Sequence, residues 1–375
     1  MEIHGTYADA FRPVRDRFEQ NFLDGLEAGA SVAVTVDGAP VVDLWAGEAG
    51  PDGAPWQRDT IANVWSSTKT MAAVCMLMLA DRGQLDFDAP VADYWPEFAR
   101  NGKESVLVRH VMSHSAGLSG FDPPIRLDDL YDRRGVAASL ARQAPWWEPG
   151  TASGYHAITQ GQLQGEILER ITGVSMGEFF RREVAEPLGA DFHIGLDAAH
   201  DGRVAELIPP APDPAVEELD PNSIAARTLA SCPLDATVTR TRDWRAAEIP
   251  AAGGTGNARS IARIHSALAC GGAVDGVRLM SPETVERVRE VQTDGVDLVL
   301  GKHVTFGLGF ATYIEDTVAP PNPRHFRWGG WGGSIVVIDL DARVSIAYVM
   351  NRMITGALGD TRSGDLLRAV YESLG

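Results

Sequence analysis

The 375-residue chain is long enough for two structural units or one large α/β unit. Its 45% hydrophobic and 22% charged residues are typical of a globular protein, and no apolar run reaches the length of a transmembrane helix. The formal net charge of −18 would repel phosphate backbones and anionic lipids, which argues against nucleic acid and membranes as partners.

The N-terminal segment and the cysteines bear on location. The first twenty residues carry charges throughout, unlike a secretory signal peptide with its apolar centre. Three scattered cysteines, Cys75, Cys232 and Cys270, fit a reducing compartment better than a disulfide scaffold. Together these features predict a cytoplasmic protein.

The first part of the chain is predicted to hold two helices and a hairpin. Apolar residues near helical spacing indicate a helix over 8–28. A β-hairpin is predicted over 31–47, because Asp37-Gly38 favours a tight turn between strands. The apolar run over 67–82 is too short to span a membrane and predicts a buried helix.

The remainder changes from helices to strands. Helical patterns occur at 157–172, 175–186, 257–270 and 281–291, with a Pro-rich surface loop at 207–222. Strands are predicted at 305–313, 325–328, 334–340 and 344–351, with a turn at 339–343, before a last helix at 362–374.

Strands at both ends of the chain, with helices between them, predict an α/β (α+β) fold. The simplest assembly is a mostly antiparallel sheet built from both termini, flanked by helices, with an inserted helical domain. We expect residues 1–85 and 245–375 to form the sheet domain and residues 86–244 the mainly helical one. A cleft between the two would be the natural active site.

Ser66 and Lys69 stand three residues apart where the apolar helix begins. This spacing places both side chains on one face of the first turn, and the helix N-terminus favours an alkoxide on Ser66. A lysine with a lowered pKa can take the serine proton, whereas an arginine stays protonated. The alternative is an ordinary helix cap, because serine and threonine often precede helices.

Tyr155 lies in a loop rich in glycine and proline, just before a predicted helix. A phenol that points from this loop into a cleft, near a lysine, could transfer protons. The alternative is a tyrosine that packs on the surface with a solvated hydroxyl group.

A glycine-rich segment, Trp328 to Ser334, precedes a strong strand. Glycines weaken a strand interior, so they indicate a close approach of some other group. One possibility is a ligand against the N–H groups of an edge strand, which would form half of an oxyanion hole. The alternative is a flexible turn.

The order of these three elements resembles that of the serine β-lactamase and penicillin-binding-protein superfamily, most closely the class C β-lactamase-like family VIII carboxylesterases. Stretches at 79–98, 110–118, 256–272 and 334–353 are similar to the same family. The resemblance implies Ser66 as the acylated nucleophile, Lys69 as its base partner and Tyr155 as a second proton-transfer residue. It also implies an oxyanion hole formed by the backbone N–H groups of Ser66 and Trp331, and a substrate-binding segment made of Trp328, Gly329, Gly330 and Trp331.

Two departures from the family pattern bear on the substrate. Ala157 stands where the β-lactamase tyrosine motif usually has asparagine, and Trp328 replaces the lysine of Lys-Thr-Gly that anchors a β-lactam carboxylate. Both changes favour neutral esters. We therefore expect a serine carboxylesterase for short-chain or aryl esters. The alternatives are a β-lactamase or D-Ala-D-Ala peptidase on the same fold, and a catalytically inactive binding or scaffold protein.

Cofactor chemistry has no support in the sequence. No His-Glu-x-x-His or Walker A motif occurs. His110 and His114 share a helical spacing, but no third metal ligand is suggested, so a structural or surface role is expected. The expected partner is a small ester, with no metal or organic cofactor.

Overall fold

A computed structural model describes residues 1–214, 218–356 and 358–375 of the chain. Its main feature is a nine-stranded antiparallel sheet in the order β1-β3-β2-β14-β13-β12-β11-β10-β9. The strands of this sheet are β1 (His4–Tyr7), β2 (Gly29–Val36), β3 (Ala39–Gly47), β9 (Thr293–Val296), β10 (His303–Phe306), β11 (Ala311–Ile314), β12 (His325–Gly329), β13 (Ile335–Asp339) and β14 (Val344–Met350). The predicted fold class is confirmed, because both ends of the chain build one sheet.

Two smaller sheets accompany the main one. The first pairs β4 (Ala62–Asn63), β6 (Thr255–Gly256) and β5 (Phe192–His193), and the second pairs β7 (Ala273–Val274) with β8 (Val277–Arg278). The first of these sheets ties residues just before Ser66 to two distant segments of the chain.

The junction between the two ends of the chain is the pairing of β2 with β14, which runs from Val36 opposite Val344 to Ala30 opposite Met350. Every residue of β13 and β14 is buried, as expected for strands covered on both faces. The β2–β3 hairpin has its predicted turn, in which Asp37 and Gly38 take φ values of 49° and 79°. Two positive φ values in a two-residue loop match the right-handed twist of the strands.

Helices surround the sheet and fill the middle of the chain. The helix Ala258–Ala269 packs on β2, β13 and β14, and the helices Arg12–Leu23 and Thr361–Leu374 pack on each other. The other α-helices within the described residues are Thr68–Asp81, Val91–Tyr94, Val108–Met112, Arg133–Arg142, Thr159–Thr172, Met176–Phe180, Glu186–Leu188, Ile224–Ser231, Arg242–Ala246 and Pro282–Arg287. Among the described residues, no helix combines the length and apolar character needed to cross a membrane.

The sequence prediction was wrong in one strand. Residues 305–313 were expected to form a single strand, but the chain folds back within this stretch to give β10 and β11. Gly309 has a φ of 85°, and a Cβ atom on it would lie 2.5 Å from Cβ of Ala73. Gly309 therefore serves a turn that packs on the helix Thr68–Asp81. Strands β1 and β9 were not predicted.

Other differences concern boundaries. The helix predicted over 8–28 ends at Leu23, and the one over 281–291 ends at Arg287. Residues 215–217 of the predicted loop 207–222 lie outside the described residues. The division into a sheet domain and a helical domain at 85/86 and 244/245 stays a prediction.

Candidate active site

The predicted nucleophile lies in a tight turn. Ser66 is the middle residue of the 3-10 turn Trp65–Ser67, which leads directly into the helix Thr68–Asp81. Trp65 has a φ of 46°, in the left-handed region that bulky residues avoid, and its N–H donates to Asn63 Oδ1 at 3.1 Å. Strained backbone of this kind concentrates at functional sites, where surrounding contacts hold it. Ser66 is half-buried, whereas its neighbours Trp65 and Ser67 are buried.

Lys69 contacts Ser66 from the same face of the helix. Its Nζ donates to Ser66 Oγ at 3.1 Å, to the Ala157 carbonyl at 2.7 Å and to the Ala251 carbonyl at 2.9 Å. The side chain is only 2% exposed, and burial holds the pKa of Lys69 well below the usual range of a lysine. A neutral amine can accept the hydroxyl proton of Ser66.

The main chain compensates for one of the departures from the family pattern. Ala157 has no side-chain amide, but its backbone carbonyl accepts a hydrogen bond from Lys69 Nζ. A contact with the lysine is thus kept without the asparagine.

Tyr155 faces the same pair. The Lys69 Nζ lies 4.8 Å from the centre of the Tyr155 ring, and the tyrosine is 5% exposed. Burial raises the pKa of Tyr155, while the Ser66 hydroxyl and the Trp328 indole act in the opposite direction. No described residue completes a full hydrogen bond to the phenol oxygen. At neutral pH this phenol is protonated and can serve as a proton donor.

Trp328 is a buried neighbour of Tyr155. It is 2% exposed, and its ring centre lies 5.2 Å from that of Tyr155 and 5.4 Å from that of Phe306. His114 completes this aromatic cluster, with its ring centre 4.9 Å from that of Tyr155. Its Nδ1 accepts a hydrogen bond from the backbone N–H of His156 at 3.1 Å. Burial lowers the pKa of His114 far below its ordinary value, so it packs as a neutral ring.

Asp297 anchors the loop of Tyr155 from a distant part of the chain. Its Oδ1 atom accepts hydrogen bonds from three backbone N–H groups, those of Tyr155 at 3.0 Å, Val299 at 2.9 Å and Leu300 at 2.9 Å. Asp297 is fully buried, and the N–H of Leu298 donates to the Ser153 carbonyl at 2.9 Å. A single carboxylate therefore joins the tyrosine loop to the segment before β10.

We expect Asp297→Ala to lower the free energy of unfolding by about 3 kcal/mol, because three N–H groups lose their acceptor. It should also reduce kcat for an ester at least about tenfold, since Tyr155 loses its anchor. Asp297→Asn keeps one carbonyl oxygen and should restore most of both properties. Urea unfolding and steady-state rates measure the two effects. An alanine variant with wild-type kcat would contradict the anchoring role.

The glycine-rich segment packs directly on the nucleophile turn. A Cβ atom on Gly330 would lie 2.2 Å from the Val64 carbonyl oxygen and 2.4 Å from Ser334 Oγ. Ser334 Oγ donates to the same Val64 carbonyl at 2.9 Å and shares a hydrogen bond with Ser67 Oγ at 2.9 Å. Strand β12 lies between β11 and β13, but its pairing with β11 is confined to Ala311 opposite Arg327, so an edge at Trp328 to Trp331 stays a prediction. The backbone at position 330 packs too closely on Val64 and Ser334 to leave room for a side chain, which explains why this residue is glycine.

Both proposed oxyanion donors lie beside this contact. In the part of the chain that is described, neither the N–H of Ser66 nor that of Trp331 donates to another protein group. The Trp331 ring packs on Trp65 with ring centres 5.0 Å apart, and Trp65 packs on Trp244 at 5.3 Å. These tilted indole rings pack the two donor segments against each other, and of the three rings only that of Trp331 is partly exposed.

The structure thus brings Ser66, Lys69 and Tyr155 together, with Trp331 against the turn of Ser66. Trp328 faces Tyr155, and its role in substrate binding, like the catalytic roles of the others, stays a prediction. Sequence reasoning missed Asp297 and the aromatic packing of His114. The stretch 110–118, which contains His114, was noticed only as part of the family resemblance.

A Gly-x-Ser-x-Gly pattern, which carries the nucleophile in other serine hydrolases, occurs at 173–177. Its serine, Ser175, caps the helix Met176–Phe180 and donates to Glu248 Oε1 at 2.7 Å. It follows the helix Thr159–Thr172 instead of a strand, so it does not form a nucleophile elbow.

Comparison with known proteins gives matches over nearly the whole chain. The family model Beta-lactamase matches residues 15–369. Esterase/beta-lactamase LipL of Mycobacterium tuberculosis is 38% identical over 378 residues, covering 94% of this chain and 84% of that protein. A crystal structure of a family VIII carboxylesterase has a TM-score of 0.93 at 42% identity. A penicillin-binding protein homolog from Caulobacter crescentus has a TM-score of 0.89 at 40% identity. Each of these two matches covers 100% of this chain and 100% of the matched chain.

Proposed function

Because the chain belongs to the β-lactamase family of serine hydrolases, we propose that it is a carboxylesterase for short-chain or aryl esters, working through an acyl-enzyme on Ser66. The single observation that carries the proposal is the buried Lys69 amine hydrogen-bonded to Ser66 Oγ at 3.1 Å. A serine hydroxyl needs a neighbouring base to become a nucleophile, and a desolvated lysine supplies one.

In acylation, Ser66 Oγ attacks the ester carbonyl while its proton passes to Lys69. The negative charge on the carbonyl oxygen is stabilised by the N–H groups of Ser66 and Trp331. The alcohol leaves with a proton from Tyr155, which then regains one from Lys69. The opposite pKa directions of Lys69 and Tyr155 support this order, because the amine is the base and the phenol the acid at neutral pH.

In deacylation, water attacks the acyl group and loses its proton to Lys69, which passes that proton to Ser66 Oγ as the serine leaves. The same two N–H groups stabilise the second tetrahedral intermediate. These steps use only protein groups and water.

The preference for neutral esters is supported by Trp328. It occupies the place of the family's lysine, is buried against Tyr155 and carries no charge. The half-buried Trp331 adds apolar surface, which favours short or aromatic groups over carboxylates.

A substrate panel tests the proposal. We expect p-nitrophenyl acetate and p-nitrophenyl butyrate to be hydrolysed with kcat/KM far above that for nitrocefin. Mass spectrometry of the enzyme quenched during turnover should find the acyl group on the peptide that contains Ser66. Dominant nitrocefin turnover would favour a β-lactamase instead. Failure of a fluorophosphonate probe to label the protein would favour a scaffold.

We also propose a cytoplasmic location, supported by the three cysteine thiols, which are free in the structure. Fractionation of cells that express the full-length natural gene tests this. Recovery of the protein outside the cytoplasmic fraction would overturn it.

A further inference from the structure

Arg362, near the start of the last helix, is a buried charged side chain that the proposed mechanism does not use. Its side chain is 0% exposed and pairs with Glu27, also 0% exposed, at 3.1 Å. The Nη1 atom of this pair also contacts the carbonyl oxygens of Leu26 at 3.2 Å and Arg352 at 2.8 Å, and Nη2 donates to Asp360 Oδ2 at 2.6 Å and to the Gly332 carbonyl at 2.8 Å. One guanidinium therefore connects four separate segments of the chain.

The contact with Gly332 matters because of where that residue lies. Gly332 O also accepts the Ile354 N–H at 3.0 Å, and Gly332 N donates to Gly356 O at 3.0 Å. Within the loop itself, Gly330 N donates to Ser334 O at 2.7 Å and Gly333 N to Gly330 O at 3.1 Å. Among residues 330–333, all of which are described, Trp331 alone keeps an N–H without an acceptor.

The loop and the guanidinium are also in close contact. Gly333 has a φ of 129°, and a Cβ atom there would lie 2.5 Å from Arg362 Nη2 and 2.4 Å from Asp360 Oδ2. A Cβ atom on Gly332 would lie 2.6 Å from Met353. Glycine at these two positions therefore lets the loop backbone lie closer to the guanidinium and to Met353 than a residue with a side chain could.

We propose that Arg362 is a positioning residue that aims the Trp331 N–H at the oxyanion. The inference rests on the proposed function, in which that N–H stabilises the tetrahedral intermediate. Donors of this kind are effective because they are held in place before the reaction, so no energy is spent on turning them. A planar guanidinium can hold Gly332 O, Asp360 and Glu27 at once, whereas the single ammonium group of a lysine cannot.

The test uses Arg362→Lys in the full chain. Its kcat for p-nitrophenyl butyrate should fall about tenfold to a hundredfold, with KM within about threefold of wild type. The inhibition constant of a trifluoromethyl ketone, which forms an oxyanion on Ser66, should rise by the same factor as kcat falls. If the substitution only loosened the packing, stability would fall, but the inhibition constant would not rise by the factor by which kcat falls.

The matched control is Arg327→Lys. Arg327 is 1% exposed and donates to Thr317 Oγ1 at 2.6 Å and to the Val318 carbonyl, so it is a buried arginine on strand β12 instead of the last helix. Successive side chains of a strand point to opposite faces, which directs Arg327 away from Trp328. Its variant should lose stability and keep the ketone affinity of wild type.

Asp360→Asn is the second variant if Arg362→Lys does not fold. Asparagine keeps the oxygen that caps the last helix but loses the charge that holds Arg362 Nη2, so kcat and ketone affinity should fall together about threefold to tenfold. Unchanged ketone affinity in folded Arg362→Lys or Asp360→Asn would overturn the positioning role. Absence of acylation at Ser66 in the wild type is a separate result, and it would overturn the proposed function and this inference with it.

Discussion

Ser66→Ala is expected to lower kcat/KM for p-nitrophenyl butyrate at least about 10⁴-fold, because no other group in the site can form the acyl-enzyme. The matched control is Ser67→Ala. Ser67 is the adjacent serine, but it is 1% exposed and its Oγ is committed to Ser334 Oγ. It should lose a hydrogen bond and still react with a fluorophosphonate probe.

Labelling separates the two serines directly. Wild type and Ser67→Ala should incorporate one probe per chain, and Ser66→Ala should incorporate none. Circular dichroism and thermal unfolding verify that each variant is folded. Persistent labelling of folded Ser66→Ala would place the nucleophile elsewhere.

Lys69→Met is expected to reduce kcat about 10³-fold, because the general base is removed while the methionine fills a similar volume. In the wild type, kcat should stay constant around neutral pH and decrease in acid, because the pKa of Lys69 lies well below that of an ordinary lysine. The Ala157 and Ala251 carbonyls would lose their donor in the variant, so its stability has to be measured as well. A variant with near-normal kcat would remove Lys69 from the mechanism.

The pKa of Lys69 also predicts how stability depends on pH. Between the lowered folded pKa and the unfolded value of about 10.4, the unfolded chain binds a proton at Lys69 that the folded chain does not. The free energy of unfolding of wild type should therefore rise with pH relative to Lys69→Met, by up to about 1.4 kcal/mol per pH unit, and level off above about pH 10.4. Urea unfolding from pH 7 to 9 measures the difference. A difference that does not change with pH would mean that the buried amine stays protonated.

Local sequence was sufficient for much of the fold. The turn at Asp37-Gly38 needs two positive φ values, which this dipeptide supplies from its own chemistry. The buried helix Thr68–Asp81 follows from its continuous apolar side chains, and the strands β13 and β14 from their β-branched residues. Ser66 and Lys69 could be paired because a spacing of three on a helix brings side chains together.

Residues 305–313 show where local reasoning fails. The stretch reads as one strand, but it turns back at Gly307–Phe310 because Gly309 fits against Ala73 of a distant helix. Two glycines among the nine residues weaken a strand interior, but they do not by themselves say where the chain turns back. The tertiary contact decides where the strand ends.

The amino-acid sequence by itself determined the elements with a periodic pattern, the family resemblance and the pair at 66 and 69. The tertiary structure alone decided the burial of the Lys69 amine, the Asp297 anchor across 142 residues of chain and the contact of Arg362 with the glycine-rich loop. The physical reason is that a pKa depends on how completely folding removes water from a group. A donor's direction likewise depends on contacts between segments far apart in the chain, and neither is encoded in neighbouring residues.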